Sequence, residues 1–184
     1  YIPYLLSWSV VGSLWITLLS TNGLVNGLLQ ALGWTHHPIV FMAERSMARS
    51  IMIFTGAWKG AGYTAALLLA AIIGIDPTLY EAASIDGATR MKQLRCITIP
   101  SILPTIKVVV MLGVMGMLRN FDQIYVMSNA NILDRVRNLL YLIYTDGIVQ
   151  FRIGPASAAA CLVLAATYVI SAVVRKAIRY DEDA

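Results

Sequence analysis

Two carboxylates five residues apart, Glu81 and Asp86, stand in the stretch from Glu81 to Pro104, EAASIDGATRMKQLRCITIPSILP. Paired carboxylates serve general acid–base catalysis when they converge on a substrate. This pair adjoins an expected helix break and has no ligand set nearby, so it is a poor catalytic candidate. His36 and His37 are adjacent, and neighbouring residues of a helix point to different faces, so they read as a loop pair rather than a metal site. Cys96 and Cys161 have no ligand spacing around them, and neither a disulfide framework nor a zinc site is indicated. Lys59 and Lys107 are the charges inside apolar stretches. A membrane enzyme would show intramembrane acids, histidines or metal ligands, and these two lysines argue against one. The patterned polar stretch reads instead as a binding element.

The elements that must position it are apolar. Of 184 residues, 58% are hydrophobic and 13% charged, with a mean hydropathy of +0.69. Soluble domains carry about 25% charged residues, so the composition fits an integral membrane protein. The net charge of +4 is small and the Lys and Arg residues are scattered, which excludes a nucleic-acid binder. Tyr1 to Ser20 is a charge-free run of twenty residues, long enough to cross a hydrocarbon core about 30 Å thick. Ile51 to Ile75 is a second expected span, a third runs from the prolines Pro100 and Pro104 to about Leu118, and a fourth from Gly154 to Val174. The sequence therefore predicts an all-α, polytopic transmembrane bundle with four spans.

Lys59, in the second span, must face a protein or water-filled interior or snorkel to an interface. Lys107, within the first two turns of the third, is placed to snorkel. Gly56 and Gly60, and Ala156 with Ala158 to Ala160, provide small faces for helix packing. Arg119 to Ile153 is mixed polar and aromatic, partly helical against the membrane surface, and Asp181-Glu182-Asp183 gives an acidic end. The chain opens with Tyr1, without a signal peptide or an initiator Met, and is expected to be part of a longer one.

Between the second and third spans, Asp76-Pro77 is a helix start: Asp caps free amides and Pro suits the first turn. Ile85, Ala88, Met91, Leu94 and Ile97 recur every three residues, a stripe that drifts by about 60° per step on one straight helix. A break at Gly87 resolves the conflict, with Thr89 capping the next helix. The insert, about residues 76–100, is thus expected to be two short helices at an angle, with Glu81, Ser84, Asp86, Arg90, Lys92, Gln93 and Arg95 available to solvent or a partner.

These residues resemble the EAA signature of ABC importer permeases: Glu81-Ala82-Ala83, three residues, Gly87, nine residues, Ile97, one residue, then Ile99-Pro100, with Ile99 in place of Leu. Asp86-Gly87-Ala88 and Pro104 are similar to the carbohydrate branch, the maltose and glycerol-phosphate type, which usually has Phe where Leu94 stands here. The resemblance covers essentially the whole chain. Trp15, Gly23, Asn26 and Gly33 resemble that branch's first span and loop, Trp58-Lys59 with Gly62 its next span, and Phe121 to Met127 its extracytoplasmic segment. Ser128 to Asn131 replace the usual Thr-x-Gly-Gly-Pro.

The resemblance implies a type I importer permease of six core spans, the missing part being N-terminal. It implies that the insert is a cytoplasmic coupling element, with Glu81, Ala82, Ala83, Asp86, Gly87 and Ala88 contacting an ATPase dimer. It also implies a second permease subunit, an extracytoplasmic solute-binding protein and sugars or related polar solutes as cargo; a non-carbohydrate solute is the alternative. No G-x-x-x-x-G-K-[S/T] occurs in the chain, so no cofactor is expected on it and ATP belongs to the partner. Lys59, Asn120, Asp122 and Tyr125 are candidate lining residues of an outer solute path, with packing and interfacial anchoring as the alternative reading. Orientation rests on the motif, because basic residues tie at six on each side: Arg90, Lys92, Arg95, Arg175, Lys176 and Arg179 against Arg45, Arg49, Arg119, Arg135, Arg137 and Arg152.

Overall fold

The computed structural model describes residues 1–118 and 120–180. Arg119, the acidic end at 181–183 and the side chain of Arg179, whose charges entered the reading above, lie outside what is described. The described regular elements are all helical. Three helices, Ala48–Ile73, Arg90–Met117 and Ile153–Lys176, are long and apolar enough to cross a membrane. Most of their surface is open, as Ile53 at 72% and Leu164 at 64% exposure illustrate. Apolar faces that extensive are stable against lipid or a partner, not against water.

The first expected span departs from its prediction. It folds as α1 (Ile2–Leu5) and α2 (Trp8–Leu18), parted by extended backbone at Leu6 and Ser7. Ser7 is the reason: its hydroxyl accepts from the Val10 amide and starts a new helix. At about 1.5 Å per residue, the 11 residues of α2 reach only about 16 Å, short of a bilayer core.

The break at α1 also decides between the two readings of Lys59. A helix of four residues leaves its last carbonyls without partners. Lys59 Nζ donates to the Tyr4 carbonyl at 2.9 Å and lies 5.4 and 5.5 Å from the ring centres of Tyr4 and Trp8. The ammonium therefore turns into the protein, held by a helix end and two π faces, and does not snorkel.

After α3 (Leu24–Ala31), the buried Asn26 pins the loop: its amide nitrogen donates to the carbonyls of Ser20 and Ile39, and its oxygen accepts from the Ile39 amide. Helix α4 (Ala48–Ile73) is the central post, touched by α1, α7, α8 and α9. Helix α5 (Pro77–Ile85) follows.

The next stretch corrects the expectation of two short helices followed by a separate span. Helix α6 (Arg90–Gln93), a π-helical turn over Leu94–Thr98 and α7 (Ile99–Leu118) run on without interruption, and Pro104 lies inside α7. A proline ring clashes with the carbonyl four residues earlier in a regular α-helix. The π turn, in which the Ile99 amide reaches back to Leu94, widens the backbone just ahead of Pro100, and the helix continues through both prolines. Lys107 consequently sits near the middle of this helix, half-buried, and not in its first two turns.

The polar and aromatic segment forms α8 (Asp122–Met127), α9 (Leu133–Val136), α10 (Leu139–Tyr144) and a second π turn over Thr145–Val149. Helix α11 (Ile153–Tyr180) then returns against α7 and α10. Helix α8 packs on α2 because Gly12 leaves room: a Cβ there would meet Val126 at 2.6 Å. Since α4 leads into the insert and α7 leads out, their other ends lie together with α8 and α9, opposite the insert.

Candidate functional site

The insert is held by caps and a short strap of hydrogen bonds. Asp76 accepts from the Thr78 amide at 2.9 Å and Pro77 occupies the first turn of α5. That amide holds the Asp76 carboxyl below its ordinary pKa. At the far end Gly87 adopts φ +72°. The Ala88 amide donates to Ala83 at 2.9 Å and the Gly87 amide to Ser84 at 3.1 Å, the paired closure of a Schellman motif. A side chain at that φ is strained, so glycine is the residue that turns the chain here. Thr89 then caps α6 through the Lys92 amide.

Side chains fix the angle of the bend. Gln93 Nε2 donates across it to Ser84 Oγ at 3.0 Å and to the Ala88 carbonyl at 3.4 Å, while Ser84 donates to the Tyr80 carbonyl at 2.7 Å. The Tyr80 hydroxyl meets Thr98 Oγ1 at 2.9 Å, which ties α5 to the π turn. Tyr80 and Thr98 were not among the residues singled out from the sequence; their separation of eighteen residues matches no local motif.

On this frame Glu81, Ala82, Asp86 and Gly87 are exposed, and Ala83 and Ala88 half-buried. Beside them stand apolar side chains that face outward: Ile85 at 87% exposure and Met91 at 59%. The result is an exposed ledge of small, acidic and apolar groups. It is suited to being gripped, not to bond chemistry.

A second polar region lies at the opposite ends of α4 and α7. A cavity of about 840 Å³ there is lined by Asn120, Asp122, Gln123, Trp8, Arg49 and Arg135, among others. Gln123, fully buried, donates to the Met52 carbonyl at 2.7 Å and to Thr55 Oγ1 at 2.8 Å, and accepts from Asn120 Nδ2 at 2.7 Å. Asn138 completes the cluster by donating to the Asn120 carbonyl. Of the four candidate path residues, Asn120 and Asp122 line this cavity. Lys59 is engaged with α1, and Tyr125 stacks on Phe121 and meets Tyr144 edge-on, with ring centres 5.4 Å from each. Among the described residues no group of three or more His, Cys, Asp or Glu side chains is placed to hold a metal ion.

Comparison with known proteins agrees with this architecture. The polygalacturonan/rhamnogalacturonan transport system permease protein YteP of Bacillus subtilis (strain 168) is 36% identical over 152 residues, which cover 82% of this chain and 47% of that protein. The crystal structure of a bacterial ABC transporter involved in the import of the acidic polysaccharide alginate superposes with a TM-score of 0.91 at 31% identity, over 98% of this chain and 63% of that one. The bacterial alginate ABC transporter in complex with an alginate pentasaccharide-bound periplasmic protein gives a TM-score of 0.87 at 32% identity, over 95% of this chain and 60% of that one. The chain thus spans about half the length of the curated relatives it matches. Residues 1–179 match the family described as binding-protein-dependent transport system inner membrane component. The chain belongs to that family, the multi-pass permeases of ABC transporters in the cytoplasmic membrane.

Proposed function

We propose that this chain is the permease part of an ABC importer for saccharides and that the insert at about residues 76–100 is its cytoplasmic coupling element. The observation that carries the reading is the bent, outward-facing ledge around Gly87, which bears the spacing Glu81-Ala82-Ala83 to Pro100 and joins two membrane-spanning helices. Ile85 and Met91 offer apolar area to a groove on an ATPase subunit, and Glu81 and Asp86 offer charge-assisted contacts at its edge. ATP is bound and hydrolysed by that partner dimer, and this chain performs no chemistry itself. Closure of the dimer rocks the insert, and the continuous helix from Arg90 transmits the motion into the bilayer without a joint at Pro100.

The saccharide class is supported by the relatives, one named for polygalacturonan and rhamnogalacturonan transport and one for alginate import. The periplasmic protein in the alginate complex supports an extracytoplasmic binding protein as a further partner. In this reading a second permease subunit completes the pore. The test is uptake by the full-length permease reconstituted with its ATPase and binding protein, across a panel of neutral and acidic oligosaccharides, amino acids and peptides. ATP-dependent uptake confined to saccharides is expected. A reporter fused near Met91 that reads the outer side, or an insert that co-purifies with no ATPase, contradicts the reading.

A further inference from the structure

Arg49 and Arg135 meet where α4 begins, and they differ from Arg45, four residues before Arg49, in having no carboxylate beside them in an ion pair among the described residues. Arg45 Nε donates to the Asn131 carbonyl at 3.1 Å and Arg49 Nε to the Arg135 carbonyl at 3.0 Å, two parallel clamps in matched register. Arg45 is then neutralised by Asp134 at 3.4 Å. Among the described residues neither Arg49 nor Arg135 has an ion-pair partner, and both line the cavity described above. The Nε bond fixes the plane of the Arg49 guanidinium while using one of its five donors.

The remaining lining suits a polyhydroxylated molecule. Asn120 and Asp122 supply amide and carboxylate groups, and Trp8 and Phe121 supply flat apolar faces. Among the described lining residues two guanidiniums stand against one carboxylate, which leaves the charged lining net positive, and both arginines are exposed and so open to an incoming anion. The volume of about 840 Å³ falls within the range of small-molecule sites, about 300–1,000 Å³.

We propose that Arg49 and Arg135 form a carboxylate-reading site, so that the cargo is a saccharide bearing acidic sugar residues. The fork of a guanidinium matches a carboxylate in two parallel hydrogen bonds, which a neutral sugar does not offer. Phosphate of an anionic lipid headgroup shares that chemistry, but the neighbouring amide, carboxylate and ring faces fit a sugar better. The inference rests on the saccharide-importer reading above and sharpens it.

The test uses the reconstituted full-length importer and compares trigalacturonate with its methyl ester, which keeps the shape and removes the charge. Arg135→Gln is the cleaner variant, because the clamp uses the Arg135 backbone carbonyl and survives the change; Arg49→Gln is made beside it. Either substitution is expected to lower uptake of the acid about tenfold and leave the ester within about threefold, the loss of one charge-assisted contact. Equal uptake of acid and ester by the unaltered protein, or an equal fall for both in the variants, overturns the proposal while leaving the importer intact. Uptake of no saccharide, neutral or acidic, overturns the importer reading and this site with it. An effect of the substitutions seen with phosphatidylglycerol vesicles and absent with phosphatidylcholine assigns the arginines to lipid and also overturns the proposal.

Discussion

The bend of the insert and the amide cluster around Gln123 are both built from hydrogen bonds, yet they are opposite designs. The bend closes over short sequence distances, Ala83 to Ala88 and Ser84 to Gln93, and remains exposed. The cluster joins residues such as Met52 and Gln123, 71 positions apart, and centres on the buried side chains of Gln123 and Thr55. An exposed bond exchanges with water and contributes little net stability, whereas a buried one is costly to leave unmade. The cluster therefore holds the bundle together, and the bend holds a shape that another molecule can grip.

Breaking each region separates these roles. Gln123→Leu has the largest expected effect, because it removes the three hydrogen bonds that centre on this buried amide, to the Met52 carbonyl, to Thr55 and from Asn120, at about 0.5–1.5 kcal/mol each. A clear fall in the melting temperature of the purified protein is expected, and an unchanged one breaks the contrast. Gly87→Val forces a β-branched residue into the left-handed region, at about 1–2 kcal/mol, all of it local. Its melting temperature is expected to stay close to that of the parent while coupled ATP hydrolysis collapses; Gly87→Asn, which tolerates that conformation, should recover part of the coupling.

These regions were unequally legible in the sequence for the same reason. The cap at Asp76, the break at Gly87 and the cap at Thr89 are local codes, readable from neighbours within a few residues. The fate of Lys59 was not, because its partners Tyr4 and Trp8 lie more than about fifty positions away, on either side of a helix break at Leu6 and Ser7 that hid inside an apolar run. Pro100 and Pro104 misled for a different reason: proline predicts a boundary, but a π turn upstream accommodated it. The Arg49–Arg135 clamp spans 86 positions and has no sequence signature. Local rules thus exposed the bend of the insert, while the cavity at the opposite ends of α4 and α7 required the tertiary fold.

Smaller effects sharpen the comparison. Ser84→Ala removes the hydroxyl that links Gln93 to the Tyr80 carbonyl, about 0.5–1.5 kcal/mol at an exposed site. Faster amide exchange confined to residues 84–93 is expected, and exchange spreading to α4 or α8 shows that the two regions are not independent. The Asp76 cap adds a pH dependence. Its folded pKa is depressed by the Thr78 amide, so the stabilisation is present above the unfolded carboxylate value of about 3.9 and is lost as pH falls through the lower folded value. Fraying at the start of α5 is accordingly expected only in acid, and Asp76→Asn should abolish that pH dependence while leaving the Gln123 cluster unmoved.

The central claim is that the ledge around Gly87 is the face that engages the ATPase. Cysteine cross-linking from Ala82→Cys in the assembled full-length importer tests it most directly, since Ala82 is exposed beside the bend and carries none of its side-chain bonds. The account predicts a cross-link to the ATPase subunit whose yield changes when ATP is bound. A cross-link to the solute-binding protein, or none to the ATPase under any nucleotide condition, contradicts it.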